Sequence, residues 1–389
     1  MSYPATAERM QRIAPFRVME ILARAQQMEK AGRDIVHMEV GEPDFPAPEV
    51  VNGAACRALT KGRTHYTPAL GIPALREAIA DYYRARFGLA VEPARVLVTP
   101  GASGALQLIL GVLVEQGDCV GIQDPGYPCN RHMIELYGGR TRTLPTIEAP
   151  GEAWSEAAGA PGLCGMLLAS PANPTGEVFE LSRLDGLYRA LAARERFLIV
   201  DEIYQGLQYE GTPATALALG SEHLFVINSF SKFFGMTGYR LGWVVVPETW
   251  VDPIERLAQN LFLAPPTMAQ YAALHAFDEA VLEELERRRQ IFRQRRDRLF
   301  SGLRALGFGL PPTPPAGAFY VYASLPEGYP GDGESFCRAL LEEAGVAVTP
   351  GIDFGTSYTE RCVRFAYTTD LDRIDLGLRR MGEFLARGG

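Results

Sequence analysis

The amino-acid sequence predicts an α/β protein built on a mostly parallel sheet with helices on both faces. Three observations lead there. Short apolar runs ending in small or polar residues recur at 96–98, 120–122, 166–168, 198–200, 225–227 and 244–246, as expected of strands buried on both faces. Helical patterns intervene: residues 183–194 carry Leu184, Leu187, Tyr188 and Leu191 on one stripe, just before the strand-like run 197–200. The chain of 389 residues is 47% hydrophobic, which is enough to bury a substantial core as one large domain or two. Alternating strands and helices imply crossover connections, with ligands gathering at the carboxyl ends of the strands.

Along the chain, residues 1–15 suit either an arm that packs on a partner subunit or a frayed terminus. Residues 99–106 join a strand to a helix through small side chains. Residues 151–162, rich in Ala, Gly and Pro, are expected to form a surface connection. A long helix is expected near 281–306, where Leu285, Phe292, Leu299 and Leu303 recur at helical spacing and the basic run 287–298 forms a solvated face. Pro311-Pro312-Thr313-Pro314-Pro315 is a rigid bend after it. No internal repeat or low-complexity tract interrupts this order.

Composition excludes several functions. A net charge of -8 and a pI near 5.4 argue against a nucleic-acid surface, which needs a concentrated positive field. The six cysteines are scattered without a C-x-x-C pair, so neither disulfides nor zinc are expected. The five histidines also lack metal-binding spacing, and no metal is expected. The N-terminus has no apolar signal core, and the apolar stretch 105–114 is far short of the roughly 20 residues of a membrane span. A protein of the reducing cytoplasm, with no membrane partner, is the expectation.

The chemistry is concentrated in Ser229-Phe230-Ser231-Lys232-Phe233-Phe234-Gly235-Met236-Thr237-Gly238-Tyr239-Arg240, a polar loop between two strand-like runs. A lysine beside apolar walls and cations can lose its proton and attack a carbonyl, while an arginine nearby offers a planar fork to a phosphate. Together they suggest an aldehyde cofactor that bears a phosphate. The stretch strongly resembles the pyridoxal-phosphate signature of the class I/II aminotransferases, fold type I, through Ser229, Ser231, Lys232, Gly238, Arg240 and Gly242. Matching segments extend from Gly41 to Arg364. The resemblance implies a seven-stranded, mostly parallel sheet in a large cofactor domain at about 46–280. It also implies a smaller α+β domain combining residues 1–45 with 281–389.

The same resemblance assigns roles. Lys232 would be the Schiff-base lysine and proton carrier. Ala102 and Ser103, with Arg240 and Ser229, would hold the phosphate at a helix N-terminus. Asp201, in Asp201-Glu202-Ile203-Tyr204, would keep the pyridine nitrogen protonated, although Asp at a strand end is also a common helix cap. Tyr204 and Asn173 would reach the phenolic oxygen, and Tyr127 would stack on the ring. Gly41, Asn173 and Arg364 would bind the substrate carboxylate. Tyr66 would reach the phosphate of a neighbouring subunit, so a homodimer is expected.

The implied reaction is transfer of an amino group from an L-amino acid to a 2-oxo acid by a ping-pong route. A carbon–sulfur β-lyase of the same fold is the alternative, and a non-catalytic, cofactor-sensing regulatory module is a third reading. The phosphate segment Gly101-Ala102-Ser103-Gly104 lacks the lysine that some aspartate-using relatives carry there. A neutral aliphatic or aromatic donor is therefore at least as plausible, with Phe16, Phe319 and Tyr320 as pocket walls or core residues.

Overall fold

The computed structural model describes residues 6–145, 151–357 and 359–388. In chain order its strands are β1 (Val36–His37), β2 (Val96–Thr99), β3 (Cys119–Asp124), β4 (Arg140–Pro145), β5 (Leu163–Ala169) and β6 (Phe197–Asp201). They continue with β7 (Leu224–Ser229), β8 (Gly242–Val245), β9 (Tyr320–Ser324), β10 (Val346–Ala347), β11 (Thr349–Pro350) and β12 (Cys362–Ala366). Seven of these form the central sheet in the order β2-β8-β7-β6-β5-β3-β4. Only β8 runs against its neighbours β7 and β2, while the pairs from β7 through β4 are parallel. The exception has a local cause. The chain passes from β7 to β8 through the polar loop without a crossover helix, and such a return pairs antiparallel.

Both faces of the sheet are covered. Leu198, Val200, Leu224 and Val226 pack on one side with Leu187 and Leu191, while Ile199, Phe225, Ile227 and Val244 pack on the other with Leu106 and Ile109. This period-two alternation within continuously apolar strands is what a doubly covered parallel sheet requires. The carboxyl ends of β3, β5, β6 and β7 lie on one rim, and the functional loops follow from there.

A second, antiparallel sheet has the order β11-β12-β9, and β1 pairs parallel with β10. The long helix Glu279–Ala305 packs against the helix Leu371–Ala386, closely enough that a Cβ on Gly302 would strike Leu378 at 2.3 Å.

Two expectations are corrected. Residues 151–162 are not simply a surface connection, because Gly151–Ala157 is helical and Trp154 is buried against Phe179. The basic run on the long helix is not simply a solvated face. Arg295 is 4% exposed and forms a forked pair with Asp44 at 2.7 and 2.8 Å, and Arg296 is 3% exposed and bonds Glu210, Asp297 and the Pro315 carbonyl. Both guanidiniums can be buried because their terminal nitrogens are matched by carboxylates and a carbonyl, although Arg295 Nε has no hydrogen-bond partner among the described residues.

Candidate active site

At the first β–α turn, Thr99 ends β2 and the helix Gly101–Leu113 begins almost at once. Gly101 has φ +71°, and a Cβ there would lie 2.7 Å from Arg240 Nη2; a Cβ on Gly242 would lie 2.8–2.9 Å from the backbone of Gly101 and Ala102. Two missing side chains thus let the helix N-terminus close onto β8 with the Arg240 guanidinium beside it. Free N–H groups, a helix dipole and a guanidinium converge there, which is an anion cradle. Arg240 is itself held in the left-handed region, φ +52°, and its Nη1 donates to the Thr237 carbonyl at 2.9 Å.

Asp201 ends β6 and is buried. Its Oδ1 accepts from the Ile203 N–H at 3.0 Å, and among the described residues no lysine, arginine or histidine forms an ion pair with it. That bond closes a side-chain turn, not the helix cap that was the alternative reading. Burial pushes its carboxyl up to about 6. Lys232 follows β7, and its Nζ donates to the Gly41 carbonyl at 2.7 Å. Burial pulls the ammonium down to about 8; Glu42 opposes this, and Arg364 and Arg240 reinforce it.

From the second sheet, β12 delivers Arg364, which is 2% exposed. Its Nη1 donates to Asn173 Oδ1 at 3.0 Å and its Nη2 to the Glu39 carbonyl, while Nε has no hydrogen-bond partner among the described residues. The Tyr320 and Phe354 rings flank the guanidinium at 4.3 and 4.7 Å. Tyr204 and Tyr320 share a hydrogen bond of 2.7 Å, and a Cβ on Gly41 would collide with the Tyr320 hydroxyl, so only glycine fits at that position.

A cleft of about 390 Å³ is lined by Gly41, Ala102, Ser103, Tyr127, Asn173, Asp201, Tyr204, Lys232, Arg240 and Arg364. The sequence-predicted residues therefore converge, with two exceptions. Ser229 is buried behind the wall, its hydroxyl 3.0 Å from that of Ser231 and 3.1 Å from the Leu241 carbonyl; of these two serines it is Ser231 that lines the cleft. Tyr66 is 81% exposed and lies outside the cleft of its own chain. Of the three residues read as either pocket walls or core, Phe16 and Tyr320 line the cleft. Phe319 is instead a core residue, fully buried behind Lys232 with its ring centre 5.7 Å from Nζ.

Other lining residues were not singled out in the sequence. Val18 and Met19 come from the first turn of the helix Arg17–Lys30, and Val40 precedes Gly41. An amphipathic helix near the N-terminus reads as core packing, so nothing local marked them. A larger groove of about 640 Å³ opens beside Glu202 and Gln205 and contains none of the predicted site residues.

Residues 33–381 match the family described as aminotransferase class I and II. The valine–pyruvate aminotransferase of Mycobacterium tuberculosis is 38% identical over 384 residues, covering 96% of this chain and 97% of the relative. The (5-formylfuran-3-yl)methyl phosphate transaminase of Methanocaldococcus jannaschii is 36% identical, covering 97% and 99%. A crystal structure of an aminotransferase from Mycobacterium tuberculosis superposes with a TM-score of 0.94 at 36% identity, covering 99% of this chain and all of the other. The sheet order, the rim of polar loops and these near full-length matches agree: the chain belongs to the class I and II aminotransferases, and is an enzyme of that family.

Proposed function

We propose that this aminotransferase works with pyridoxal 5'-phosphate held covalently on Lys232, moving an amino group from an L-amino acid to a 2-oxo acid in two half-reactions. The observation that carries this reading is the placement of Lys232 between a buried carboxylate with no ion-pair partner, Asp201, and two arginines at different walls of one cleft, Arg240 and Arg364. The cleft fits the cofactor. Asp201 lacks the cation that a protonated pyridine nitrogen would bring, and the Gly101–Gly242 approach leaves an anion cradle shaped for a phosphate. When bound, the ring supplies an acceptor for the electron pair left on the substrate α-carbon.

Within that reading each residue has a task. Ala102 and Ser103 N–H groups and the Arg240 fork hold the phosphate, with Ser229 behind Ser231 supporting the same wall. Asp201 holds the pyridinium proton, Tyr204 and Asn173 orient the phenolic oxygen, and Tyr127 covers the ring face. Arg364 and the Gly41 backbone bind the substrate α-carboxylate. Lys232 Nζ, as a neutral amine, would take the proton from the substrate α-carbon and pass it to C4' of the cofactor within the same half-reaction, base first and then acid, and would carry it the opposite way in the second half-reaction. Tyr66 reaches the phosphate of a neighbouring subunit, completing the site in a homodimer. We also propose the division into a cofactor domain at 46–280 and a smaller domain from 1–45 and 281–389.

The lining supports a reading of the substrate class. Among the described residues its cations are Lys232, Arg240 and Arg364, all engaged in these tasks, while Phe16, Val18, Met19 and Val40 are apolar. A donor with a neutral, apolar side chain meets that wall without burying an unpaired charge. The name of the mycobacterial relative, a valine–pyruvate enzyme, points the same way.

Borohydride reduction of the cofactor-loaded protein followed by peptide mapping tests the assignment. The adduct is expected on Lys232, and an adduct on another lysine would overturn it. Lys232→Ala should lower kcat by about 10²–10⁴-fold or more, the contribution of a positioned proton carrier, without merely raising KM.

A further inference from the structure

Four consecutive carbonyls directly after β1, those of residues 38–41, form a rail beside the site. Met38 O accepts from the Ala366 N–H at 2.8 Å, Glu39 O from Arg364 Nη2 and from Thr349 Oγ1 at 3.1 Å, Val40 O from Thr368 Oγ1 at 3.1 Å, and Gly41 O from Lys232 Nζ at 2.7 Å. The rail thus sets where both Arg364 and Lys232 point. Its single charged side chain is Glu39, which is fully buried. Glu39 Oε1 lies 2.7 Å from His37 Nδ1, and the other ring nitrogen of His37 lies 3.1 Å from Glu29 on the helix Arg17–Lys30. Glu39 Oε2 has no partner among the described residues, so His37 is the contact that anchors this carboxylate.

The same helix starts at the cleft, where Phe16, Val18 and Met19 line it. The imidazole therefore bridges two parts of the substrate wall, the rail beneath Arg364 and the helix that carries the apolar residues. A buried carboxylate is stable only when paired, and a ring bonded at both nitrogens is fixed in plane and orientation.

We propose that His37 is a positioning residue for substrate binding: held between Glu29 and Glu39, it fixes the Glu39 carbonyl that orients the Arg364 guanidinium. The inference rests on the reading of Arg364 as the α-carboxylate site. His37 touches neither substrate nor cofactor, and acts through Glu39.

The test compares His37→Gln, Glu39→Gln, the double variant and Arg364→Leu in the cofactor-loaded enzyme. His37→Gln and Glu39→Gln should each raise KM for all amino and oxo acids roughly tenfold, within the range for members of one contact network, with kcat little changed. The double variant should equal the single ones, because both break the same link. Calorimetric binding of 4-methylpentanoate, a carboxylate without a reacting amine, should weaken in parallel. Should Glu39→Gln fail to fold, His37→Gln and the surface variant Glu29→Gln still decide the matter, since neither empties a buried site. A fall in kcat with KM and 4-methylpentanoate binding unchanged, or additive effects in the double variant, overturns the inference. If Arg364→Leu leaves KM and 4-methylpentanoate binding unmoved, the carboxylate assignment itself is wrong. If Arg364→Leu raises KM and weakens that binding while His37→Gln does neither, only the role of His37 falls.

Discussion

At the scale of single residues, what distinguishes this site is a set of groups displaced from their ordinary proton affinities by burial. Lys232 is drawn down to about 8 and Asp201 is pushed up to about 6, with Arg364 and Arg240 adding to the first shift. A neutral amine is the nucleophile that captures an aldehyde, so the shift has a kinetic consequence for the cofactor-free protein. The ammonium form dominates below about pH 8 and the free amine above it. Stopped-flow measurement of pyridoxal phosphate capture should therefore give a rate that rises with pH and levels off above an apparent pKa near 8. A rate still climbing at about pH 10, the range of an ordinary lysine, would mean that Lys232 is not desolvated as described. The arginines were legible in the sequence as forks for anions, but their environment was not. Nothing in the order of residues says that Arg240 lies over Gly101, or that Arg364 is wedged between the Tyr320 and Phe354 rings.

At the scale of elements, the anion cradle depends on how closely β8 approaches the start of the helix Gly101–Leu113. A methyl group on Gly242 would meet the backbone of Gly101 and Ala102 at 2.8–2.9 Å, and neither partner is a flexible side-chain end that could move aside. Gly242→Ala should cost about 1–3 kcal/mol of stability by overpacking and also open the anion cradle. The expected outcome is a lower midpoint of chemical unfolding together with weaker retention of pyridoxal phosphate on dialysis. Loss of stability alone, with cofactor retention unchanged, would separate this contact from phosphate binding. Burial also decides which elements the sequence reveals. The six apolar strand runs were legible because strands buried on both faces leave an uninterrupted hydrophobic signature. The edge strand β4, Arg-Thr-Arg-Thr-Leu-Pro, was not read from its own residues, because its first four side chains are polar and Arg140 and Arg142 are exposed, whereas β2 at the other edge, Val-Leu-Val-Thr, is buried. Arg295 and Arg296 misled for the opposite reason: their burial depends on Asp44 and Glu210, some 251 and 86 residues away in the chain.

At the scale of the whole molecule, the cleft brings residues from the N-terminal segment, the central sheet and the C-terminal sheet together, yet Tyr66 stands outside it with 81% of its surface exposed. A large aromatic side chain in that position is hard to explain within one chain, since its neighbours Thr67 and His65 are already tied to Gln270 and Thr267. The proposed homodimer gives it a task, at the phosphate of the opposite subunit. Two-fold symmetry makes this testable by complementation, because each site would then draw Tyr66 from one subunit and Lys232 from the other. Tyr66→Ala and Lys232→Ala subunits, each of low activity alone, would form hybrid dimers with one site carrying both lesions and one carrying neither. Random exchange of equal amounts should return about a quarter of the wild-type sites, half of the dimers being hybrid with one intact site each. The measurement is the rate of transamination after mixing, with exchange verified independently by mass spectrometry of isotope-labelled subunits. If hybrids form and no activity returns, both residues serve the same site within one chain, and the exposure of Tyr66 needs another explanation.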